Sequence, residues 1–277
     1  MNAFSVNNRT ACSAEGNLRQ MTEPAKVVTF VGAGGKTTCL QTLTKELDFA
    51  GCPVIATTTT KVMPEIGMAG WKGLEPPLAL SAPCFWYAET EESGKWVGPS
   101  RQAVDAAIVS ELDDACSRNE TGNRHFWVIE GDGANRKNLK CWADYEPQVP
   151  RRTDCAVLIA SGDLWGKVLH SDQVHRPEAC GDLLGHIWNA ENAWRYYLQS
   201  PLFYPEFKHM SWIVLLNAPG LAEQEQILTA LAHGWHEAVS RKESWMEGFP
   251  NPDDWPVHLR LAAGDAKKGR LQWLDLW

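Results

Sequence analysis

The stretch VVTFVGAGGKTTCLQTL, Val27–Leu43, constrains this chain more than any other. VVTFV is a near-continuous apolar run, as expected of a strand buried on both faces. Gly32, Gly34 and Gly35 follow, where positive φ and close backbone approach cost least. Leu40, Leu43 and Leu47 then recur at helical spacing, and Gly51 with Pro53 supplies a stop. The spacing predicts a strand, a tight loop and a helix opening at Lys36. Such a junction converges loop N–H groups on the positive end of a helix, which suits an anion.

On this reading Gly32, Ala33, Gly34, Gly35, Lys36, Thr37 and Thr38 cradle a phosphate chain. Lys36 is expected to be a solvent-reachable cation at the β- and γ-phosphates, and the Thr37 hydroxyl to ligate Mg²⁺. The competing reading is a plain Gly-rich turn, but Lys-Thr-Thr at a helix start behind an apolar strand favours phosphate. The standard spacing G-x-x-x-x-G-K-[ST] puts its first glycine where Phe30 stands. The shorter form here resembles the loop of ATP-dependent Mur-type ligases more than that of Ras-like GTPases. It also lacks the lysine that MinD-type ATPases carry before their glycines, since Val31 stands there.

Strand candidates continue with VIATT (Val54–Thr58), HFWVIE (His125–Glu130), CAVLIA (Cys155–Ala160), WIVLLN (Trp212–Asn217) and HLRLAA (His258–Ala263). Helices are expected over Ala103–Cys116, Leu183–Leu198 and Leu221–Val239. This alternation predicts an α/β fold, a P-loop NTPase-like three-layer arrangement with a mostly parallel, doubly wound sheet. The Gly- and Pro-rich Met63–Pro83 reads as a loop. CFWYA and KWVG, joined through Ser93-Gly94, read as a hairpin or two short strands. Residues 1–25 are polar and aperiodic and read as a flexible extension. Residues 26–277 read as a single nucleotide-binding domain.

A formal net charge of -8 leaves no basic footprint for nucleic acid or an anionic membrane surface. No stretch approaches the ~20 apolar residues that span a bilayer, and the N-terminus carries no secretory pattern. The eight cysteines show no Cys-x-x-Cys pair and no zinc spacing, so they read as free thiols of a cytoplasmic, reducing chain. The fourteen tryptophans share no period and read as packing residues.

Two further stretches carry chemistry. In VIATTTTKVMPE, Thr57, Thr58, Thr59, Thr60 and Lys61 sit where a strand meets its loop, the side on which open α/β sheets bind ligands. Strand propensity explains threonines equally well, but four followed by lysine favour a substrate oxyanion or a metal-bound water. In HFWVIEGDGANRKNLKCW, an apolar strand delivers Glu130 and then Asp132 between two glycines. Thr37 with Glu130 or Asp132 is expected to hold Mg²⁺, Asp132 being preferred for its flanking glycines, and Lys36, Asp132 and Glu130 to form the catalytic set. Asn135, Arg136, Lys137 and Lys140 are candidates for a second substrate, a solvated basic loop being the alternative. His175 and Arg176 precede Pro177, which suits a first helical turn, and the arginine is a candidate for a phosphate or carboxylate. Asn217 is followed by Ala-Pro-Gly rather than the Lys-x-Asp that reads guanine, so ATP is preferred to GTP.

VGAGGKTT, TTTTK, EGDGANRKNLK, YEPQVP and WGKVLHSDQVHRPE, in this order, resemble the YqeC family of selenium-dependent hydroxylase accessory proteins. The resemblance covers roughly Val27 to Asn217. It implies a cytoplasmic P-loop nucleotide-binding protein associated with maturation of selenium-dependent molybdenum hydroxylases, whose partners are such a hydroxylase or its maturation proteins. The matching positions are the loop glycines, Lys36, Thr37, Thr38, the threonine run, Glu130, Asp132, Gly133, Lys140, Glu146, Gly166, His175, Arg176 and Pro177. It leaves the reaction open. Mg-dependent binding and hydrolysis of nucleotide leads. A kinase or ligase acting on a small substrate held by Thr58–Lys61, Lys140, His175 and Arg176 is one rival. A nucleotide-gated binding module without turnover is another.

Overall fold

A computed structural model describes residues 13–64, 67–77, 79–118, 124–240 and 249–277. Ten strands form its main sheet: β1 (Ala14–Gly16), β2 (Val27–Gly32), β3 (Val54–Thr58), β4 (Ala69–Lys72), β5 (Cys84–Tyr87), β6 (Phe126–Glu130), β7 (Cys155–Ser161), β8 (Ser211–Asn217), β9 (His258–Asp265) and β10 (Arg270–Asp275). Their order is β1-β10-β9-β8-β7-β2-β6-β3-β5-β4. The run from β9 to β4 is parallel throughout; only β10, against β9, and β1, against β10, are antiparallel.

The strand that precedes the glycine-rich loop, β2, therefore lies in the middle, as its apolar run predicts, with all six residues buried. Its register sets Val27 opposite Trp127 on β6 and Val28 opposite Cys155 on β7. Alternation along the strand sends side chains to two faces. Val28 and Phe30 pack on helices α1 (Leu18–Thr22) and α2 (Lys36–Phe49) through Leu18, Met21, Leu40, Leu43 and Leu47. On the other face Val27, Trp127 and Ile129 meet Val104 and Ile108 of α3 (Arg101–Arg118). Val31 and Leu158 share that side with Trp194 of α4 (Ala190–Leu198) and Leu228 and Leu231 of α5 (Gln224–Ser240). Each fully buried Leu, Val or Phe stabilises the fold by roughly 1.5–3 kcal/mol. The chain is thus a mixed α/β protein with a large, mostly parallel sheet and helices on both faces.

Several expectations need correction. Ala14–Gly16 adds an edge strand to β10, and Asn17 caps α1, whose Leu18 and Met21 are fully buried, so these residues are not a loose extension; residues 1–12 lie outside the described residues. The Met63–Pro83 loop contains β4, an exposed strand paired to β5. CFWY and Trp96–Val97 are the two short strands expected of this stretch, but they pair with other partners rather than with each other. CFWY joins the main sheet as β5, whereas Glu89–Thr90 pairs with Trp96–Val97, which also pairs with Lys61–Val62. The Leu183–Leu198 helix is split: Pro177–Leu183 is a 3-10 segment and α4 begins only at Ala190.

The thiols are not all free either. Cys141 and Cys180 form a disulfide with Cα atoms 6.1 Å apart, while Cys39, Cys52, Cys84 and Cys155 stay reduced. Several tryptophans do serve packing: Trp86, Trp127, Trp188, Trp194 and Trp212 are among the largest fully buried side chains, whereas Trp71 is exposed and Trp245 lies outside the described residues.

Candidate functional site

Gly32, Gly34 and Gly35 have φ of 90°, 94° and 122°, a region that L side chains avoid. Contacts make all three harder still to replace, and a Cβ on Gly32 would run into the Ile159 carbonyl oxygen. A Cβ on Gly34 would sit 2.5 Å from the Ser161 backbone nitrogen, and one on Gly35 2.6 Å from Asn217 Nδ2. The loop is fastened to neighbouring strand ends. Ala33, itself buried, donates its N–H to the Ile159 carbonyl on β7 at 2.8 Å. Asn217, last residue of β8, donates Nδ2 to the Gly34 carbonyl at 2.9 Å and accepts the Ala266 N–H on Oδ1 at 3.1 Å. No local signal marks this clamp, because both partners of Asn217 lie far from it in the chain.

Lys36 is the first residue of α2, as predicted, but it is not solvent-reachable. Its side chain is 5% exposed and folds back over the loop. Nζ donates to the Gly32 carbonyl at 2.6 Å and stands 3.1 Å from Asp132 Oδ1 and 3.9 Å from Glu130 Oε1. Parallel pairing of β2 with β6 produces this meeting, because Phe30 lies opposite Glu130 and both loops leave the same edge.

The two candidate carboxylates separate in role. Glu130 Oε2 accepts the Thr37 hydroxyl at 2.9 Å. Burial pushes its carboxyl pKa up; Lys36 and the Thr37 hydrogen bond pull against that without cancelling it. Asp132 is fully buried and committed elsewhere: Oδ2 accepts the Gly32 N–H and the Trp142 indole N–H, each at 3.0 Å, and lies 3.5 Å from Lys140 Nζ. Oδ1 makes no hydrogen bond and faces Lys36 as an ion pair. Glu130, rather than the preferred Asp132, is therefore the carboxylate hydrogen-bonded to Thr37.

The charges continue outward. Lys140 is fully buried, and its Nζ donates to the Gly133 carbonyl at 2.5 Å and to Glu146 Oε1 at 2.9 Å. Glu146 Oε2 accepts Arg176 Nε at 2.9 Å, and Arg176 Nη2 donates to the Tyr145 hydroxyl at 2.7 Å. Burial pushes the Glu146 pKa up, but the Lys140 hydrogen bond and charge, with Arg176, outweigh it and leave it below the usual range. The parallel ladder of Leu139–Lys140 with Val174–His175 sets this outer half. There burial, then the Lys140 and Arg176 charges, hold the His175 pKa down. Arg176 has φ 61°, an uncommon conformation for a side-chain-bearing residue and one that clusters at functional sites. Lys36, Lys140 and Arg176 thus alternate with Glu130, Asp132 and Glu146 in one chain of charge.

The threonine run is arranged differently from its expectation. Thr57 donates to the Trp86 carbonyl and Thr59 to that of Gln148, each at 2.8 Å, while Thr58 donates to the Glu130 carbonyl at 2.9 Å. Thr60 shares a hydroxyl contact with Thr58 at 3.1 Å. These hydroxyls tie β3 to its neighbours, and Lys61 pairs with Glu91, which follows the short strand Glu89–Thr90. Thr38, half-buried on α2, borders a groove with Lys267 and Lys268. Lys137 donates to the Asp172 carbonyl at 2.6 Å. Among the described residues, no three His, Cys, Asp or Glu side chains gather as a metal cage.

The family model described as YqeC protein matches residues 28–178, more than half of the chain and the whole of this network. The chain belongs to the YqeC family. It is 30% identical over 171 residues to the "Uncharacterized protein YqeC" of Escherichia coli strain K12, an alignment covering 57% of the chain and 60% of that relative. The chain thus spans about three-fifths of the length of the curated YqeC protein it matches. No solved structure matches it. Within this family member the matched segment begins inside β2 and ends just after Arg176, so it takes in both ends of the charged chain. Among the described residues no helix is long and apolar enough to cross a membrane.

Proposed function

We propose that this YqeC protein binds a Mg-nucleotide at Gly32–Thr38, ATP in preference to GTP, and hydrolyses it in the service of maturing selenium-dependent molybdenum hydroxylases. One observation carries the reading: the Thr37 hydroxyl meets Glu130 at 2.9 Å beside a loop whose Lys36 opens the helix. A hydroxyl from a helix start and a carboxylate from the neighbouring strand end are oxygen donors that would hold Mg²⁺, which would supply positive charge beside the phosphates. Lys36 then moves its charge from Asp132 to the phosphates, and Lys140 keeps the buried Asp132 compensated during the exchange. The maturation role rests on the family resemblance, and the partner is a molybdenum hydroxylase or one of its maturation proteins.

Transfer of phosphate to a small anionic substrate is the second reading, favoured by the left-handed Arg176 at the outer end of the network. Thermal melts with Mg-ATP, Mg-GTP and Mg²⁺ alone test binding, and product analysis separates the reactions. A nucleotide-specific upward shift and free phosphate are expected. No shift with either nucleotide overturns the reading.

A further inference from the structure

We infer that Cys141–Cys180 is a thiol-exchangeable disulfide that sets how firmly the charged network grips Lys36; its effect on ligand affinity rests on the phosphate-loop reading above. The placement of the two cysteines argues for this. Cys141 directly follows Lys140, and Cys180 lies four residues after Arg176, so the bond straps together the two cations that share Glu146. The Cys141 N–H also donates to the His175 carbonyl at 3.0 Å, extending the ladder by one step. Cys141 and Cys180 are themselves buried, so exchange requires the strap to move, and the remaining described cysteines are unbonded and lie outside it. Cys39, Cys84 and Cys155 are buried, with thiol pKa values pushed up by burial, and Cys52 lies in the turn after α2.

One end of the strap can move. Pro177–Leu183 has no strand pairing, bends at Cys180 itself (φ -147°, ψ 41°), and exposes Glu178, Ala179, Gly181 and Asp182 on either side. The core does not depend on the bond, because both sulfurs lie in an apolar cluster where a thiol acts as a small hydrophobe.

A thiolate attacks one sulfur, the S–S bond breaks, and the other sulfur leaves as thiolate and takes a proton. A second thiol resolves the mixed disulfide. Two electrons and two protons thus come from two small thiols or one dithiol protein, which ends oxidised. Reduction frees the Arg176 segment. Glu146, losing one cation, draws Lys140 away from Asp132. Asp132 then holds Lys36 more tightly, and less of that charge remains for a phosphate. The oxidised protein should be the tighter binder.

The test uses the full chain cycled between oxidised glutathione and dithiothreitol. Peptide mapping should find Cys141 joined to Cys180 only after oxidation. Amide exchange should rise on reduction in residues 174–183 and also in 139–146. Mg-ATP affinity should fall about fivefold or more, within the usual range of coupling. Cys141→Ser/Cys180→Ser should stay at the reduced value and ignore dithiothreitol, whereas Cys52→Ser should respond like the parent. If the double variant does not fold, reversible cycling of the parent decides. Failure to form the bond, exchange confined to 174–183, or equal affinity in both states overturns the inference. If both segments respond but neither state binds nucleotide, the strap stands and the phosphate-loop reading falls.

Discussion

Lys36 Nζ sits 3.1 Å from Asp132 Oδ1, with the two side chains 5% and 0% exposed. This pair changes what a substitution at Lys36 should do. An exposed lysine would be removable within about 0.5 kcal/mol. Deleting one partner of a buried ion pair instead costs about 3–5 kcal/mol, because a buried charge is left uncompensated. Lys140, 3.5 Å from the other oxygen, softens this. Lys36→Ala should therefore lose about 2–3 kcal/mol and melt several degrees lower. Adding Asp132→Asn should return part of that loss, a coupling read from a double-mutant melting cycle. Equal melts for parent and Lys36→Ala would contradict the burial.

The loop glycines give a sharper contrast. Gly34→Ala forces a side chain into positive φ and against the Ser161 backbone, so it should cost roughly 1–3 kcal/mol. A Cβ on Gly133 would meet nothing within 4 Å, and φ there is not positive, so Gly133→Ala should be within about 0.5 kcal/mol of the parent. Chemical denaturation of both variants checks the ordering.

These positions show what was legible in the sequence. The apolar run of β2 and the leucine spacing of α2 are local signals, and they placed a central strand and a helix starting at Lys36. The partners of Lys36 are not local. Whether Glu130 or Asp132 faces Thr37 depends on the register of β2 against β6, and glycines flanking Asp132 gave a misleading cue. The threonine run was visible as a strand end, but its hydroxyls are used by carbonyls of Trp86, Glu130 and Gln148, all distant in sequence. Ala14–Gly16 carries no pattern because an edge strand of three residues needs only backbone pairing. Cys141 and Cys180 are 39 residues apart, and only the ladder between them brings them into range.

Glu130 and Glu146 should titrate in opposite directions. Glu146 lies below the usual glutamate range, so its share of stability is complete above the unfolded pKa of ~4.3 and is lost as pH falls through its folded value. Glu130 lies above that range, so its protonated form is favoured by the fold and stability is given up as pH rises through its folded value. Carboxyl NMR titration should place Glu130 above and Glu146 below free glutamate. If Glu130 receives Mg²⁺, adding Mg-ATP should lower its midpoint, and a midpoint indifferent to Mg-ATP removes it from the metal site.

The Thr37–Glu130 contact predicts which variants lose metal dependence. Thr37→Ala and Glu130→Gln would each remove one of the two proposed Mg²⁺ ligands while leaving the Lys36–Asp132 pair in place. Glu130→Gln also relieves the burial of a charge, so it should fold as well as the parent or better. Nucleotide affinity in Mg²⁺ should fall about tenfold to a hundredfold for either, comparable to losing a charge-assisted contact of roughly 1.5–3 kcal/mol. Without Mg²⁺ the variants and parent should bind alike. Titration calorimetry with and without Mg²⁺ decides, and an equal loss in both conditions argues against a shared metal.

Asn217 separates loop geometry from loop charge. Its amide holds the Gly34 carbonyl at 2.9 Å and the Ala266 N–H at 3.1 Å, joining the loop to the ends of β8 and β9 without contributing charge. Asn217→Ala removes both bonds but leaves a partly exposed site that water can enter, so the loss should be about 1–2 kcal/mol, or a few degrees of melting. Asn217→Asp keeps the acceptor for Ala266 and turns the other atom into an oxygen facing the Gly34 carbonyl. It should therefore distort the loop more than alanine while disturbing the Ala266 turn less. If Gly32–Thr38 holds phosphate, Mg-ATP affinity should fall in the order parent, Asn217→Ala, Asn217→Asp, since the aspartate also brings negative charge to an anion site. Should the aspartate bind Mg-ATP better than the alanine, the Gly34 carbonyl is not where the asparagine acts on the loop. If all three bind equally, the clamp belongs to the fold alone.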